Sequence, residues 1–221
     1  MRYSVLVSAL LIAATSAQAG VIIGGTRLVY HGEKKEASLS LSNTDAINYL
    51  IQSTVETTSG TKAPFLVTPP LFRLNAHQEN VLRVVQTKSG LPQDRESLYW
   101  LNVKSIPSSA RQEGVNTLQI AIRTRIKLLY RPAAVTGKPD AVADKLSWHK
   151  EGNTLIVTNP TPFYMNFQSV AINGKKIEKI NYAAPEGDTR FDIPPEVNGN
   201  TLSWNILNDY GAPGKEFKQN L

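Results

Sequence analysis

Apolar and polar residues alternate along much of the chain with a period of two, which is the pattern of strands that bury one face. Leu39 and Leu41 alternate with serines in the clearest case, the run 37–42. Gly, Pro and Asn turns separate further candidate strands in this half of the chain, at 49–55, 65–68, 71–74, 81–85, 98–106 and 117–130. Dense short strands with such punctuation predict an antiparallel β-sandwich.

The alternation stops at the sequence Arg-Pro-Ala-Ala, 131–134, and then resumes. Strands are predicted near 145–148, 154–158, 165–172, 190–193 and 201–207, with Asn173-Gly174 as a hairpin signal. A sandwich of this kind takes about 100 residues, so a chain of 221 residues suits two of them. The sequence therefore predicts an all-β protein with Ig-like sandwich domains at 20–131 and 132–221.

The first 19 residues have the features of a cleaved signal peptide. A positively charged start at Met1-Arg2 precedes the apolar run 5–14, and Ala17-Gln18-Ala19 is a small-x-small cleavage pattern. An apolar run of about 10 residues is too short to span a bilayer, which needs about 20. We expect cleavage after Ala19 and an exported mature protein.

Composition argues against catalytic chemistry. The chain has no cysteine, which excludes disulfides, thiolate nucleophiles and cysteine metal sites. His31, His77 and His149 lie far apart without metal-ligand spacing. No nucleophile elbow or phosphate-binding glycine loop occurs. The sequence predicts no enzyme activity, cofactor, metal or small-molecule substrate.

Net charge changes this interpretation little. The formal charge of +6 is compatible with simple solubility and with attraction to carboxylate-bearing partners. An exported chain without a dense basic helix is not expected to bind nucleic acid.

The most informative segment is 116–132, where Leu118, Ile120 and Ile122 share one face of a strand. Two interpretations are open from the residues alone. The segment is either an ordinary core strand or an edge strand that inserts alternate hydrophobic side chains into a groove of another protein.

Four motifs occur in order along the chain. They are Leu91-Pro92-Gln93-Asp94-Arg95-Glu96-Ser97 before the strand 98–103, the strand end Ile126-Lys127-Leu128-Leu129-Tyr130-Arg131-Pro132, Thr68-Pro69-Pro70 with Arg73-Leu74, and Asn208-Asp209-Tyr210-Gly211-Ala212. In these motifs the chain resembles the PapD-like periplasmic chaperones of the chaperone–usher pathway. The short connection 108–115 resembles the short-loop subfamily.

The resemblance implies two Ig-like domains set at an angle with a cleft between them, in a periplasmic protein. It implies that Leu118, Ile120 and Ile122 form a donor strand that completes pilin subunits, which an outer-membrane usher then receives. Arg27 and Lys127 would bind the C-terminal carboxylate of the pilin.

The resemblance also implies that Glu96, Arg131 and Asp209 form a charge network across the domain joint. Ion pairs at exposed positions are worth only about 0–1 kcal/mol each, so we expect this network to set orientation more than stability.

Some features leave questions open. Lys127 has the opposite strand parity to Leu118, Ile120 and Ile122, and a bulge or strong twist would be one way to reconcile them. The stretch 45–50 lacks a proline that some family members use in usher binding, although Pro64 matches a second one. The free protein would expose its long strand, a liability that self-association would cover.

The main alternative is a secreted Ig-like adhesin or carbohydrate-binding module. Trp100, Trp148 and Trp204 lie within strand patterns, which favours core positions over sugar binding. A pilin subunit is a further alternative, but such a subunit would be shorter and often disulfide-bonded.

Overall fold

The structure is a computed structural model that describes residues 20–108 and 118–221. The predicted signal peptide at 1–19 lies outside the described residues. Regular structure is almost entirely β, apart from two short 3-10 turns at Pro139–Ala141 and Ala143–Lys145. The strands are β1 (Val21–Ile23), β2 (Arg27–His31), β3 (Ala37–Asn43), β4 (Tyr49–Glu56), β5 (Phe65–Thr68), β6 (Leu71–Leu74), β7 (Glu79–Gln86), β8 (Ser97–Pro107), β9 (Ile122–Arg131), β10 (Ser147–Glu151), β11 (Thr154–Asn159), β12 (Met165–Ile172), β13 (Lys175–Lys176), β14 (Tyr182–Ala183), β15 (Gly187–Asp192), β16 (Thr201–Ile206) and β17 (Phe217–Asn220).

The first nine strands form a sandwich of two sheets, ordered β1-β3-β7-β5 and β2-β9-β8-β4-β6. The chain changes sheets between β1 and β2 at Gly24-Gly25. The Gly24 amide bonds to the Ser40 carbonyl, and a Cβ on Gly24 would lie 2.0 Å from the Ser40 hydroxyl, so a larger residue would require the Ser40 side chain to move. Alternate residues of both sheets, such as Leu41, Ile51 and Leu128, fill the core.

Strands β10 to β17 form a second sandwich. One sheet has the order β10-β11-β15, and the other has the order β13-β12-β16-β17 with β14 paired to β12. Asn173 and Gly174 both have positive φ, 48° and 79°, and connect β12 to β13 as the predicted hairpin. The all-β, two-domain prediction is therefore confirmed.

The tryptophans divide between core and surface. Trp148 and Trp204 are buried in the second sandwich with ring centroids 5.6 Å apart, which confirms the core prediction for these two. For Trp100 that prediction is wrong. It lies half-buried on the outer face of β8, and the Arg125 guanidinium covers its ring at 4.4 Å from the centroid.

The predicted strand 117–130 begins later than expected. Pairing with β8 starts at Ile122, opposite Ser105, and β8 ends two residues further on, at Pro107. Leu118 and Ile120 therefore precede the ladder without a strand partner on the β8 side, and Thr117 lies outside the described residues. The short strands β1, β13, β14 and β17 were not predicted, because the first three have only two or three residues and β17, Phe-Lys-Gln-Asn, has a single apolar residue.

An open strand edge beside a basic interdomain cleft

Strand β9 is only partly covered on one of its two edges. On one side it pairs with antiparallel β8 without interruption, from Ile122 opposite Ser105 to Tyr130 opposite Ser97. On the other side parallel β2 covers only the last five residues of β9, from Lys127 to Arg131. Within the described residues, the stretch 122–126 has no strand on that second side. Its outward N–H and C=O groups are available for another chain.

Three large apolar side chains lie at the start of this edge. Leu118 is 88% exposed, Ile120 64% and Ile122 56%. In β9, Ile122 has the same parity as Ile126 and Leu128, which are buried in the core of the first sandwich. Ile122 therefore continues a row of core side chains beyond the end of that core, which is a marker of an interaction site rather than of an ordinary surface.

Arg27 and Lys127 are the first pair of residues in the parallel ladder of β2 and β9. Paired residues of neighbouring strands project from the same face, and here that face is the one opposite the core. Arg27 is 8% exposed, and its Nε–H is buried without a hydrogen-bond partner. Burial lowers the pKa of Arg27, against an opposing effect of the Asp209 carboxylate.

Lys127 extends into the cleft between the two sandwiches. Its Nζ donates hydrogen bonds to Asn166 Oδ1 and Asn181 Oδ1, both at 2.6 Å, and lies 4.8 Å from the centroid of the Tyr182 ring. Burial, with a smaller contribution from the positive charge of Arg27, lowers the pKa of Lys127 to about 8. Two partly desolvated cations side by side are suited to bind an anion.

The difference in parity between the apolar residues and Lys127 is a real feature of the strand. The ladder between β8 and β9 shows no register shift, so β9 has no bulge between Ile122 and Lys127. In a regular strand these two side chains leave on opposite faces. Ile122 and Lys127 therefore project from opposite faces of one strand.

Glu96, Arg131 and Asp209 come together at the domain joint. Arg131 Nε donates to Glu96 Oε1 at 2.7 Å, and its Nη1 and Nη2 bind the two Asp209 oxygens at 2.8 and 2.7 Å. Glu96 Oε2 accepts the Tyr164 backbone N–H at 2.8 Å. Burial raises the pKa of Glu96, and the neighbouring Arg131 opposes this shift.

The prediction that these ion pairs are exposed is wrong. The side chains of Glu96 and Arg131 are 0% and 4% exposed, and that of Asp209 is 19% exposed. The reason is that the loop 160–164 of the second sandwich packs against the start of β8. There the Glu96 backbone N–H donates to the Pro162 carbonyl, and the Phe163 ring lies 5.1 Å from the Arg131 guanidinium carbon.

Sequence reasoning missed the part of the site that the second sandwich supplies, namely Asn166, Asn181, Tyr164 and Tyr182. The only sequence signal is that Asn166 is a polar residue between the apolar residues Met165 and Phe167 in a predicted strand. Sequence reasoning also missed the exposed ion pair between Arg95 and Glu186 at 2.8 Å, which joins the two sandwiches beside the buried network.

Residues 20–108 and 118–221 contain no group of three His, Asp or Glu side chains that could hold a metal ion. In the same ranges, no helix is long and apolar enough to cross a membrane.

Comparison with known protein families covers nearly all of the described chain. The profile of the pili and flagellar-assembly chaperone PapD N-terminal domain matches residues 20–136. That of the pili assembly chaperone PapD C-terminal domain matches residues 141–218. The chain belongs to the PapD family of pilus assembly chaperones.

Individual relatives agree with this assignment. The probable fimbrial chaperone LpfB of Escherichia coli O157:H7 is 43% identical over 206 residues, covering 91% of this chain and 89% of the relative. The chaperone protein FimC of E. coli K12 is 42% identical over 200 residues, covering 89% and 82%.

Solved structures of pilus chaperones superpose on most of the chain. A structure of the Salmonella enterica SafA pilin in complex with the SafB chaperone matches with a TM-score of 0.87 and 38% identity, covering 94% of this chain and 99% of the matched chain. The E. coli chaperone DraB matches with a TM-score of 0.82 and 38% identity, covering 92% and 97%.

Proposed function

We propose that this protein is a periplasmic chaperone that binds pilus subunits and completes their fold with the segment 118–126, acting by binding alone and without a catalytic step. The observation that carries the proposal is the open edge of β9, which begins with exposed apolar side chains and ends at the paired cations Arg27 and Lys127. Membership of the PapD family and the structural match to a chaperone–pilin complex support it.

The geometry of β2 sets the direction of the bound strand. Strand β2 occupies the edge of β9 from Lys127 onward, so an added strand has access only to the part before Lys127. If its free carboxylate lies at Arg27 and Lys127, its C-terminus is at the end of the open stretch nearest β2. The added strand then runs parallel to β9 and ends in line with the first residue of β2.

The two cations supply the chemistry that recognises a chain terminus. A carboxylate that reaches this site accepts charge-assisted hydrogen bonds from the ammonium of Lys127 and the guanidinium of Arg27, which are paired across β2 and β9. Such bonds are stronger where water is partly excluded, as it is around both side chains.

Carboxylate binding also fixes the register of the added strand. A slip by one residue would move every side chain of that strand to the wrong face. With the terminus held at Lys127, the apolar residues 118, 120 and 122 meet fixed positions in the subunit, where they replace the strand that an incomplete Ig-like fold lacks. Because Ile122 and Lys127 face opposite sides of β9, the apolar contact does not compete with the anchor for space.

We further propose that the chain divides at residue 131. Residues 20–131 would carry the donor strand and both cations, and residues 132–221 would close the other side of the cleft. The two family profiles support a division into two domains in this region, although the first profile continues to residue 136 and the second begins at 141. Val135 packs in the core of the second sandwich, which favours the earlier boundary.

We propose that an outer-membrane usher receives the complex at a different surface of the first sandwich. Leu66, Leu71 and Leu50 are 50%, 56% and 41% exposed on strands other than β9, so they stay accessible when the open edge is occupied. The stretch 45–50 contains no proline, so this chain would have to contact the usher without a proline at that position.

The test is co-expression with a pilin subunit encoded beside the gene, followed by co-purification from the periplasm. Wild type is compared with Arg27→Ala and Lys127→Ala, with Lys150→Ala as the matched control because Lys150 is an exposed lysine of the second sandwich. We expect wild type and Lys150→Ala to bring down soluble subunit, and both cleft variants to lose it while remaining folded.

A second arm changes the subunit. A subunit extended by three residues beyond its natural terminus should bind wild type as poorly as the normal subunit binds Lys127→Ala. If both cleft variants hold the subunit as well as wild type, the carboxylate anchor is wrong. If wild type captures no subunit, the chaperone proposal itself is wrong.

A further inference from the structure

We infer that Asn166 and Asn181 are positioning residues for the carboxylate anchor, and that they hold the Lys127 ammonium in place before a subunit arrives. This inference rests on the proposed function and goes beyond it, because it assigns a role to the second sandwich in a site whose two cations come from the first. It also predicts a property of the free protein that is measurable without any subunit.

The hydrogen bonds of Lys127 leave one donor for a ligand. An ammonium group has three N–H donors. Two of them are used by Asn166 Oδ1 and Asn181 Oδ1 at 2.6 Å each. The third N–H of Lys127 remains for an incoming carboxylate, beside the paired Arg27 guanidinium. A lysine held in this way loses less conformational entropy when the ligand binds.

The orientation of the Asn166 amide is fixed by its surroundings. Asn166 is 2% exposed on β12, and its Nδ2 donates to the Tyr164 carbonyl at 3.2 Å. This bond turns Oδ1 rather than Nδ2 toward the lysine. The Asn166 carbonyl also accepts the Leu207 N–H, which fixes the backbone at this position.

Asn181 and Tyr182 belong to the same arrangement. The Asn181 carbonyl accepts the Phe167 N–H at 3.0 Å, and Tyr182 pairs with Asn166 in the ladder of β14 and β12. The Tyr182 ring therefore comes to lie against the lysine Nζ, where it attracts the cation, and the Tyr164 ring packs against it edge to face. Three contacts to one ammonium thus come from the paired strands β12 and β14 and from Asn181, the residue before β14.

These contacts oppose the factors that would discharge Lys127. Burial and the positive charge of Arg27 favour the neutral amine, while the two amide oxygens and the ring face favour the ammonium. The titratable groups around the lysine are Arg27 from β2, with Tyr182 and its neighbour Tyr164 from the second sandwich. Removing an amide oxygen should therefore move the pKa of Lys127 further below its ordinary value.

The experiment has two measurements on the same set of variants. The first is an NMR titration of Lys127 in the free full-length protein labelled at lysine, in wild type, Asn166→Ala, Asn181→Ala and Asn166→Asp. The second is the affinity for a peptide with the C-terminal sequence of the subunit, with either a free carboxylate or a terminal amide. Asn198→Ala is the matched control, because Asn198 is an exposed asparagine of the second sandwich.

We expect both alanine variants to lower the pKa of Lys127 and to weaken binding of the carboxylate peptide by about tenfold, which corresponds to ~1.4 kcal/mol. Binding of the amide peptide should not change. Asn166→Asp should raise the pKa of Lys127 and yet weaken binding of the carboxylate peptide. The reason is that the introduced aspartate carboxylate competes with the peptide for the ammonium. A purely structural role for Asn166 would not produce this combination.

Two results would separate the positioning role from the anchor itself. If wild type prefers the carboxylate peptide and both alanine variants match wild type in this preference and in the pKa of Lys127, the anchor stands and the positioning role is wrong. If wild type binds both peptides equally, the anchor is wrong and the positioning role falls with it. The exposed residue Asn181 provides a test that does not depend on a substitution in the protein interior.

Discussion

Arg27 and Lys127 are neighbours because they form the first matched pair of the parallel strands β2 and β9. One residue before this pair, the edge of β9 is open, and from this pair onward the protein's own β2 covers it. The site for a chain terminus therefore lies where an added strand has to end. The length of β2 determines both where the cations meet and how much of β9 is left for a partner.

Binding of a carboxylate should depend on pH through Lys127. Its pKa of about 8 in the free protein means that the ammonium is lost as pH rises above that value. A bound carboxylate favours the charged form, so binding takes up a proton in this range. We expect the affinity for a carboxylate-terminated peptide to fall above pH 8 by up to tenfold per pH unit, because one proton is linked to binding.

Calorimetry in buffers of different ionisation enthalpy checks this prediction by counting protons taken up. Lys127→Arg is the matched variant, since arginine keeps its charge throughout this range, and its affinity should not change with pH. An equal pH dependence in wild type and Lys127→Arg would exclude Lys127 as the titrating group.

The same group should affect stability in the opposite direction. Between about pH 8 and 10.5 the folded protein binds fewer protons at Lys127 than the unfolded chain does. The free energy of unfolding contributed by this group therefore rises with pH across that interval. Lys127→Met should remove this contribution, which is measurable as a difference in urea midpoint between pH 7 and pH 10. The prediction fails if wild type and Lys127→Met show the same pH dependence.

The buried network at the domain joint should contribute to stability as well as orientation. Arg131→Met leaves Glu96 buried without its cation, and such a loss costs about 3–5 kcal/mol. Glu96→Gln combined with Arg131→Met should be less destabilised than Arg131→Met alone, because the fully buried carboxylate is no longer charged and only Asp209, 19% exposed, is left without its cation. Chemical denaturation gives the stabilities, and small-angle X-ray scattering should show a wider range of domain angles in Arg131→Met.

Arg95→Ala is the matched control for the network. Arg95 also joins the two sandwiches, through Glu186, but both side chains are 38% exposed. Its removal should leave the denaturation midpoint and the scattering curve unchanged. Equal effects of Arg95→Ala and Arg131→Met would show that burial does not set the importance of the network.

The sequence allowed the fold and the positions of several candidate-site residues to be predicted, but for different reasons. Strands such as β3 and β4 bury one face, so apolar and polar residues alternate along them, and this alternation is visible in the sequence. The sequence does not show whether Leu118, Ile120 and Ile122 are buried or exposed. A core strand and an exposed edge strand have the same alternating pattern. The answer depends on where the core of the first sandwich ends, which is set by the packing of β9 against other strands and not by the segment itself.

For a related reason, the sequence did not predict that the charge network is buried or that Lys127 contacts the second sandwich. Arg131 occurs beside a predicted joint, and nothing local shows that the loop 160–164 will cover it. Asn166 and Asn181 approach Lys127 only because β12 and β14 pair and the two sandwiches meet. Contacts across a domain joint depend on the orientation of two folded units, which neither unit's periodicity encodes.

Asn159 should be important for the loop that covers this network. It is fully buried, its Nδ2 donates to the carbonyls of Phe163 and Ala184, and its Oδ1 accepts from the backbone and hydroxyl of Thr161. Asn159→Ala leaves several buried polar groups unsatisfied, and each costs about 1–3 kcal/mol. We expect a loss on the order of 3 kcal/mol in denaturation experiments, whereas Asn153→Ala, at an exposed asparagine nearby, should be neutral. A neutral Asn159→Ala would mean that the loop is held by other contacts.

The apolar residues of the open edge should determine subunit binding without contributing to the stability of the free protein. Ile120 and Ile122 are more than half exposed, so Ile120→Ser and Ile122→Ser lose little burial and should leave the melting temperature unchanged. In the complex each side chain would be buried, which is worth about 1.5–3 kcal/mol, so each substitution should weaken subunit binding by about 10- to 100-fold.

Competition binding of purified chaperone–subunit complexes measures this effect directly. Val81→Ser is the control, because Val81 is 45% exposed on the other sheet of the same sandwich. It should leave both stability and binding unchanged. A fall in melting temperature for Ile122→Ser would place this side chain in the core of the free protein, and unchanged binding in both isoleucine variants would rule out insertion of this strand into the subunit.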